Sequence, residues 1–299
     1  MKTNKILITG GLGFIGSSLA REYINKGYEV TIITKTLDKI TNIKDIKDKI
    51  EIIVSDIRYL EENLESYEYV IHCASTVHNY NILSNPYLDI ETNCIGTVKL
   101  LELLKTSKKL KKLIYVSTFF VNKGEPKALY GATKLCTEHI CKTYNRVYNI
   151  PISIVRLTNI FGPGEQCDNN KKAAFNRMIQ LAINDETIKL YNNGNIFRDY
   201  LYIEDAVSGI DTILNKGKSG EVYELGKGYS LLFREMIEDI IELAKGGKII
   251  SVTPPEFHNQ VGIDNYFCDI HKLNMLGWYP KWTVRDGIKK TIEVYNEKH

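Results

Sequence analysis

The first half of the chain alternates short apolar runs with longer stretches in which apolar residues recur every three or four positions. Ile6–Ile8, Val30–Ile33, Ile50–Val54, Tyr69–His72 and Leu113–Ser117 are rich in Ile and Val and read as strands. Ile15–Asn25, roughly Glu91–Lys105, and Gly131–Tyr148 read as the helices between them. Such alternation predicts a parallel sheet covered on both faces by helices. A further strand, Ile152–Arg156, runs into LTNIFGPG, whose Gly162-Pro163-Gly164 marks a loop. Past about residue 165 the pattern is mixed, with helices Phe175–Ile183, Ile203–Leu214 and Arg234–Leu243 and the strand-like IKLY at 188–191. The expected fold class is therefore α/β: a Rossmann-type doubly wound parallel sheet over residues 1–165, and a smaller mixed α/β C-terminal lobe over 166–299. A segment near 195–215 is free to pack back on the sheet.

Composition narrows this only a little. A chain of 299 residues admits one large domain, or one domain with a smaller lobe. The formal charge of +3 calls for neither nucleic acid nor an anionic membrane surface as partner. No apolar run is long enough to span a bilayer, and the opening Lys2, Lys5 and ILITGG read as a short strand rather than a leader. Cys73, Cys94, Cys136, Cys141, Cys167 and Cys268 show no CxxC pairing and no His at ligand spacing. Free thiols in a cytoplasmic protein without a metal site are the expectation.

Ligands of open parallel sheets bind outside the carboxyl ends of the strands, so chemistry is sought there. After the first strand comes TGGLGFIGS, residues 9–17. Gly10 permits the tight turn, Gly13 lets the backbone approach a pyrophosphate, and Gly16 lets helix and strand pack closely. Phe14 and Ile15 open the helix whose free N–H groups would meet that pyrophosphate. The strand before the turn and the amphipathic helix after it favour a dinucleotide site over a structural glycine turn. Further on stands Tyr130-Gly131-Ala132-Thr133-Lys134. Residues four apart share a helix face, and a cation beside Tyr130 would lower its phenol towards the range of an acid/base catalyst. A surface Tyr and Lys without partnership is the alternative. Ser117-Thr118 ends the preceding strand and offers hydroxyls at the same sheet edge.

On these motifs the chain resembles the extended short-chain dehydrogenases/reductases of the nucleotide-sugar epimerase/dehydratase/4-ketoreductase group. The resemblance takes in TGGLGFIG, SDIR with Asp56 and Ile57, HCAS (72–75), NCIGT (93–97), YVST (115–118), YGATK (130–134) and RLTNIFGPG (156–164). It continues through RDYLYIEDA (198–206), YELGKG (223–228) and LGWYPKW (276–282). The resemblance implies oxidoreduction at sugar C4 of a nucleotide-diphosphate sugar. Tyr130 would exchange a proton with the 4-oxygen, Thr118 would hydrogen-bond that oxygen, and Lys134 would bind the nicotinamide ribose. Asp56, Ile57, Cys73, Ala74, Ser75 and Ser117 would line the dinucleotide, and Asn159 and Arg198 would hold the nucleotide diphosphate. A guanidinium suits phosphate, although a salt bridge of Arg198 to Asp199 or Asp205 is the bland alternative. Asn93 reads as structural, bonding backbone near the site, with contact to the cofactor as the open alternative. The long helices near Glu91–Lys105 and Gly131–Tyr148 resemble the pair through which the family forms homodimers as a four-helix bundle.

Departures from the family pattern sharpen the expectation. Dehydratases carry an Asp-Glu pair after the strand-end Thr, whereas here Phe119-Phe120 follow Thr118 and cannot move protons. The segment FFVNKGEPKAL before Tyr130 is shorter than in many members, and Phe119 and Phe120 either face a deoxy position of the sugar or pack in the core. Thr34 stands where NAD-using members carry the ribose-binding Asp. It removes the repulsion of a 2′-phosphate, which Lys35 and Thr36 could hold. NADP(H) is the expected cofactor, with NAD(H) as the alternative. The reading is then an NADPH-dependent 4-ketoreductase of a nucleotide-diphosphate (deoxy)hexose. A 4-epimerase with tightly held NAD is the next reading, and a non-catalytic dinucleotide-binding protein a remote one. Against the diphosphate site, the region HNQVGIDNYFCD places Asn259 near where many members have an Arg.

Overall fold

The computed structural model describes residues 4–76, 81–165, 174–262 and 265–297, with the side chains of 122–124 left out of the description. Cys167 and residues 263–264 of the HNQVGIDNYFCD stretch lie outside the described residues. The chain divides into two compact units. The first runs to Arg156 and takes in Val207–Tyr223; the second comprises Leu157–Ala206 and the chain from Glu224 onwards.

A seven-stranded sheet carries the first unit. Its strands run, edge to edge, Val222–Leu225, Ile152–Leu157, Lys112–Thr118, Tyr69–His72, Lys5–Thr9, Glu29–Thr34 and Glu51–Val54. The pairs formed by Lys5–Thr9 with both neighbours, and the next pair out on either side, are parallel. The order reverses direction at Lys5–Thr9, which is the switch point where an α/β sheet opens a binding crevice. Ile6, Leu7 and Ile8 are completely buried, as a strand covered on both faces requires. Leu7, Val70, Leu100, Leu101, Leu113 and Ile152 belong to one apolar cluster under the helices. The segment Val207–Tyr223 is tied to the helix Phe14–Asn25 by Lys26 and Asp211, 2.6 Å apart. This is the α/β Rossmann-type architecture that the strand–helix alternation predicts.

One predicted helix is not continuous. In place of Glu91–Lys105, the chain forms a short helix Pro86–Asp89, a π-helical stretch Ile90–Ile95 and an α-helix Gly96–Leu104. Widening the turn displaces the carbonyl of Asn93, which instead accepts the hydroxyls of Thr97 (2.6 Å) and Thr137 (3.1 Å). At Gly96 a Cβ would sit 2.7 Å from Ile57 Cγ2, so only glycine lets this helix lie against the Ile57 segment.

The second unit is built from short pieces. Asn159–Phe161 pairs in parallel with Tyr200–Tyr202, and Thr187–Tyr191 with Lys248–Val252. Phe197–Arg198 pairs antiparallel with Leu231–Leu232. An aromatic core holds these together, with Phe175 stacked on Tyr200 at 4.3 Å and Phe161 edge-on to Phe175 at 5.1 Å. Asp199 is fully buried and accepts backbone N–H groups of Lys227 (2.9 Å), Cys268 (3.0 Å) and Gly228 (3.4 Å). Burial nevertheless raises its carboxyl to about 6.

Candidate active site

The glycine turn is forced by sterics. Gly10 has φ of +69°, and a Cβ there would lie 2.8 Å from the backbone nitrogen of Ala74. A Cβ at Gly16 would lie 2.4 Å from the carbonyl oxygen of Gly10, so the helix cannot pack on the loop with any other residue. At Gly13 a Cβ would meet only Gly10 O, at 3.1 Å. The missing side chain therefore leaves open space over the loop at the start of the helix Phe14–Asn25, where a pyrophosphate needs the backbone to be reachable. The residues present fit a dinucleotide on this observation.

His72 ties the loop to the neighbouring strand ends. Thr97 donates to Asn93 O, so its oxygen accepts from His72 Nε2–H (2.9 Å). That leaves Nδ1 to accept the Thr9 hydroxyl (2.6 Å), while Thr9 Oγ1 accepts Ala74 N–H (3.2 Å). Burial holds this histidine neutral, pushing it down to about 3. Cys73, next in the chain, donates its N–H to Thr9 O, and burial pushes its thiol up to about 12.

Thr118, Tyr130 and Lys134 come together at the end of the strand Lys112–Thr118 and on the first turns of the helix Leu129–Tyr148. All three are buried. The hydroxyls of Thr118 and Ser75 each favour the ionised form of the Tyr130 phenol. Phe120 meets the Tyr130 ring edge-on at 5.9 Å, and Phe119 packs buried behind it, 4.5 Å from the Phe120 ring. The expected lowering of the phenol by its helical neighbour is not what the structure shows. Burial raises Tyr130 to about 12, against the smaller opposing effect of the two hydroxyls, and the charge on Asp89 adds to the rise. Lys134 turns away: its Nζ donates to Val116 O at 2.7 Å and lies 4.7 Å over the Tyr115 ring. Burial lowers this ammonium to about 8. Four residues of helical spacing put the two side chains on one face, but the nearest carbonyl, not the phenol, captures the ammonium.

The remaining candidates fall at several places. Ser117 donates to Glu138 (2.6 Å), a buried carboxylate also paired with Arg156 (2.7 Å). Thr34 donates to Thr36 O (2.9 Å), and Thr36 donates to Asp38 (2.9 Å). Lys35 Nζ reaches Asp56 at 3.4 Å. Asp56 is gripped more closely by Arg58 (2.8 Å), which holds its carboxyl at about 2. Arg58 also reaches Glu91 at 2.8 Å. Sequence reasoning passed over Arg58, although its place two residues after Asp56 in SDIR was a visible signal. In the second unit Asn159 donates to Asp199 O (3.1 Å), and Arg198 Nη1 donates to the neighbouring Phe197 O (3.0 Å). The Asp199 carboxylate serves backbone N–H groups, and that of Asp205 caps Lys281 and Trp282 N–H, each at 2.9 Å. Among the described residues no group of three His, Cys, Asp or Glu side chains could hold a metal ion. No described helix is long and apolar enough to cross a membrane.

Residues 6–226 match the model of the NAD dependent epimerase/dehydratase family, and the chain belongs to that family. It is an enzyme of the extended short-chain dehydrogenase/reductase type, and its relatives include nucleotide-sugar epimerases and dehydratases. A Methanocaldococcus jannaschii protein, provisionally named a UDP-glucose 4-epimerase, is 30% identical over 96% of this chain and 97% of its own. The structure of a UDP-glucose 4-epimerase from Thermotoga maritima, solved with UDP-glucose, superposes with a TM-score of 0.89 at 25% identity. That match covers 98% of this chain and 99% of the other. A dTDP-glucose 4,6-dehydratase of Bacillus anthracis in complex with NAD gives a TM-score of 0.85 at 28% identity, covering 99% and 97%.

Proposed function

We propose that this chain oxidises or reduces C4 of a nucleotide-diphosphate hexose without dehydrating it. The observation that carries the reading is the buried Tyr130 phenol, whose ionised form the hydroxyls of Thr118 and Ser75 favour, beside the Phe119-Phe120 pair. Where dehydratases of this family carry acids, an aromatic pair supplies no proton carrier. When bound, the nicotinamide exchanges a hydride with sugar C4. Tyr130, protonated in the free protein, gives its proton to the 4-oxygen in the reductive direction and takes it back in the oxidative one. Thr118 hydrogen-bonds the same oxygen. Lys134 holds the nicotinamide ribose, Gly10, Gly13 and Gly16 with Phe14 and Ile15 accommodate the pyrophosphate, and Asn159 and Arg198 bind the nucleotide diphosphate.

The finer reading is an NADPH-dependent 4-ketoreductase. Thr34 lacks the carboxylate that would repel a 2′-phosphate, and Lys35 and Thr36 follow it on an exposed turn. A second reading, a 4-epimerase that retains NAD, is favoured by the pairing of Lys35 with Asp56, which already engages that cation. The epimerases named above give that reading further support. Identifying the dinucleotide that co-purifies separates the two: retained NAD supports the epimerase, and exchangeable NADPH supports the reductase. Exposed Tyr87, Ile95, Val147 and Tyr148 on the two helical segments support a homodimer through a four-helix bundle.

A further inference from the structure

Resting on the reading of Lys35 as the group that meets a 2′-phosphate, we infer that Asp56 and Arg58 set the choice between NAD(H) and NADP(H). Asp56, reaching in from the end of the neighbouring strand, supplies the selecting acid that Thr34 does not. It disfavours a 2′-phosphate by repelling it and by occupying Lys35. Arg58 moderates that effect by neutralising part of the Asp56 charge.

The strand ends bring these groups together. Thr34 stands opposite Val54 in the sheet, and Ser55 N–H donates to Thr34 O (2.8 Å), so the chain leaves both strands at one point. Lys35 Nζ there comes to 3.4 Å from the Asp56 carboxylate. Arg58 takes the rest of that carboxylate. Its backbone N–H (3.0 Å) and Nε (3.1 Å) donate to Oδ1, and its Nη2 (2.8 Å) donates to Oδ2. The guanidinium is itself fixed, with Nη1 on Glu91 (2.8 Å) and its central carbon 5.2 Å from the centre of the Tyr59 ring. The carboxylate is therefore presented in one orientation. Lys35, with 60% of its side chain exposed, is the partner that can swing out. Thr34 and Thr36 offer a phosphate little, because their hydroxyls already donate to Thr36 O and to Asp38. Lys35 and Arg58 balance Asp56 and Glu91, so these linked charges sum to zero, and Asp38 adds a negative one beside them. A dinucleotide with a 2′-hydroxyl leaves this arrangement as it is. One with a 2′-phosphate brings negative charge towards Asp56 and must draw Lys35 away from it.

The test measures calorimetric dissociation constants of NADPH and NADH for the full chain freed of bound dinucleotide. Their ratio is the readout, since contacts common to both, such as one between Asp56 and adenine, cancel in it. Asp56→Asn keeps the shape and removes the charge. It should shift the ratio towards NADPH by about fivefold, the order expected for one unit charge near a phosphate at a partly exposed site. Arg58→Met leaves Asp56 unopposed and should shift the ratio the other way, towards NADH, while Arg58→Lys should bring it back towards wild type. The two Arg58 variants carry the test alone should Asp56→Asn fail to fold. A merely structural role for the cluster weakens both dinucleotides alike and leaves the ratio unmoved, which overturns the inference. A shift in the same direction for Asp56→Asn and Arg58→Met overturns it as well. Lys35→Ala separates the two levels. Equal losses of NADPH and NADH in that variant defeat the reading of Lys35 itself. A loss confined to NADPH, with the ratio unmoved by Asp56→Asn and Arg58→Met, defeats only the role of Asp56 and Arg58.

Discussion

Replacing His72 by asparagine removes the one imidazole that joins the glycine turn to the Asn93 segment, and the consequence is a defined change in acid stability. His72 is 1% exposed and both ring nitrogens are engaged, so the folded protein accepts a proton there only near pH 3, whereas the unfolded chain does so near 6.5. A folded pKa below the unfolded one means that the unfolded state binds the extra proton throughout that window. Stability is therefore complete above pH 6.5 and is lost as pH falls towards 3, at about 1.4 kcal/mol per pH unit for one proton. At pH 4.5 the wild type should have lost roughly 2–3 kcal/mol by this route alone. Urea unfolding of wild type and His72→Asn between pH 7.5 and pH 4.5 reads the difference, with carboxylate titration common to both. The variant starts lower, because Thr9 and Thr97 lose their partner, but its stability should fall less steeply. Parallel curves would show that His72 is not held neutral by the fold, and the reasoning about its network would fail.

Two further expectations concern the dinucleotide. Gly16→Ala drives a Cβ to 2.4 Å from Gly10 O, which backbone must relieve by moving, so calorimetric binding of either dinucleotide should fall by at least tenfold, about 1.4 kcal/mol. Unchanged affinity would mean that the loop is not the pyrophosphate site. Lys35→Ala should weaken NADPH more than NADH, and equal losses for both would show that Lys35 does not read a 2′-phosphate. Light scattering at micromolar concentration should give twice the chain mass, and a monomer would refute the four-helix interface.

The sheet was legible because its strands are buried on both faces, and a strand such as Ile6–Ile8 must then be apolar throughout. The meeting of Thr118 with Tyr130 was legible because both sit where a strand end and a helix start converge. The second unit was less so: strands of two or three residues, such as Phe197–Arg198, are too short to show a period. The π-helical stretch at Ile90–Ile95 left no mark in the apolar pattern, since its cause is a set of hydroxyls on Thr97 and Thr137 that repair a displaced carbonyl. The direction of Lys134 was misjudged for a related reason. Helical spacing gives the face on which a long side chain starts, while a buried acceptor, here Val116 O, decides where its ammonium ends.

The central claim is that the Tyr130 oxygen exchanges a proton with the sugar. Its most direct measurement compares wild type and Tyr130→Phe for turnover of UDP- and dTDP-hexoses and their 4-keto forms, followed by reduced-nicotinamide absorbance, alongside calorimetric dinucleotide binding. Turnover should fall by roughly 10²–10⁴-fold, the usual contribution of a positioned acid/base group, while dinucleotide affinity stays within a few-fold. Activity within about tenfold of wild type would contradict the assignment.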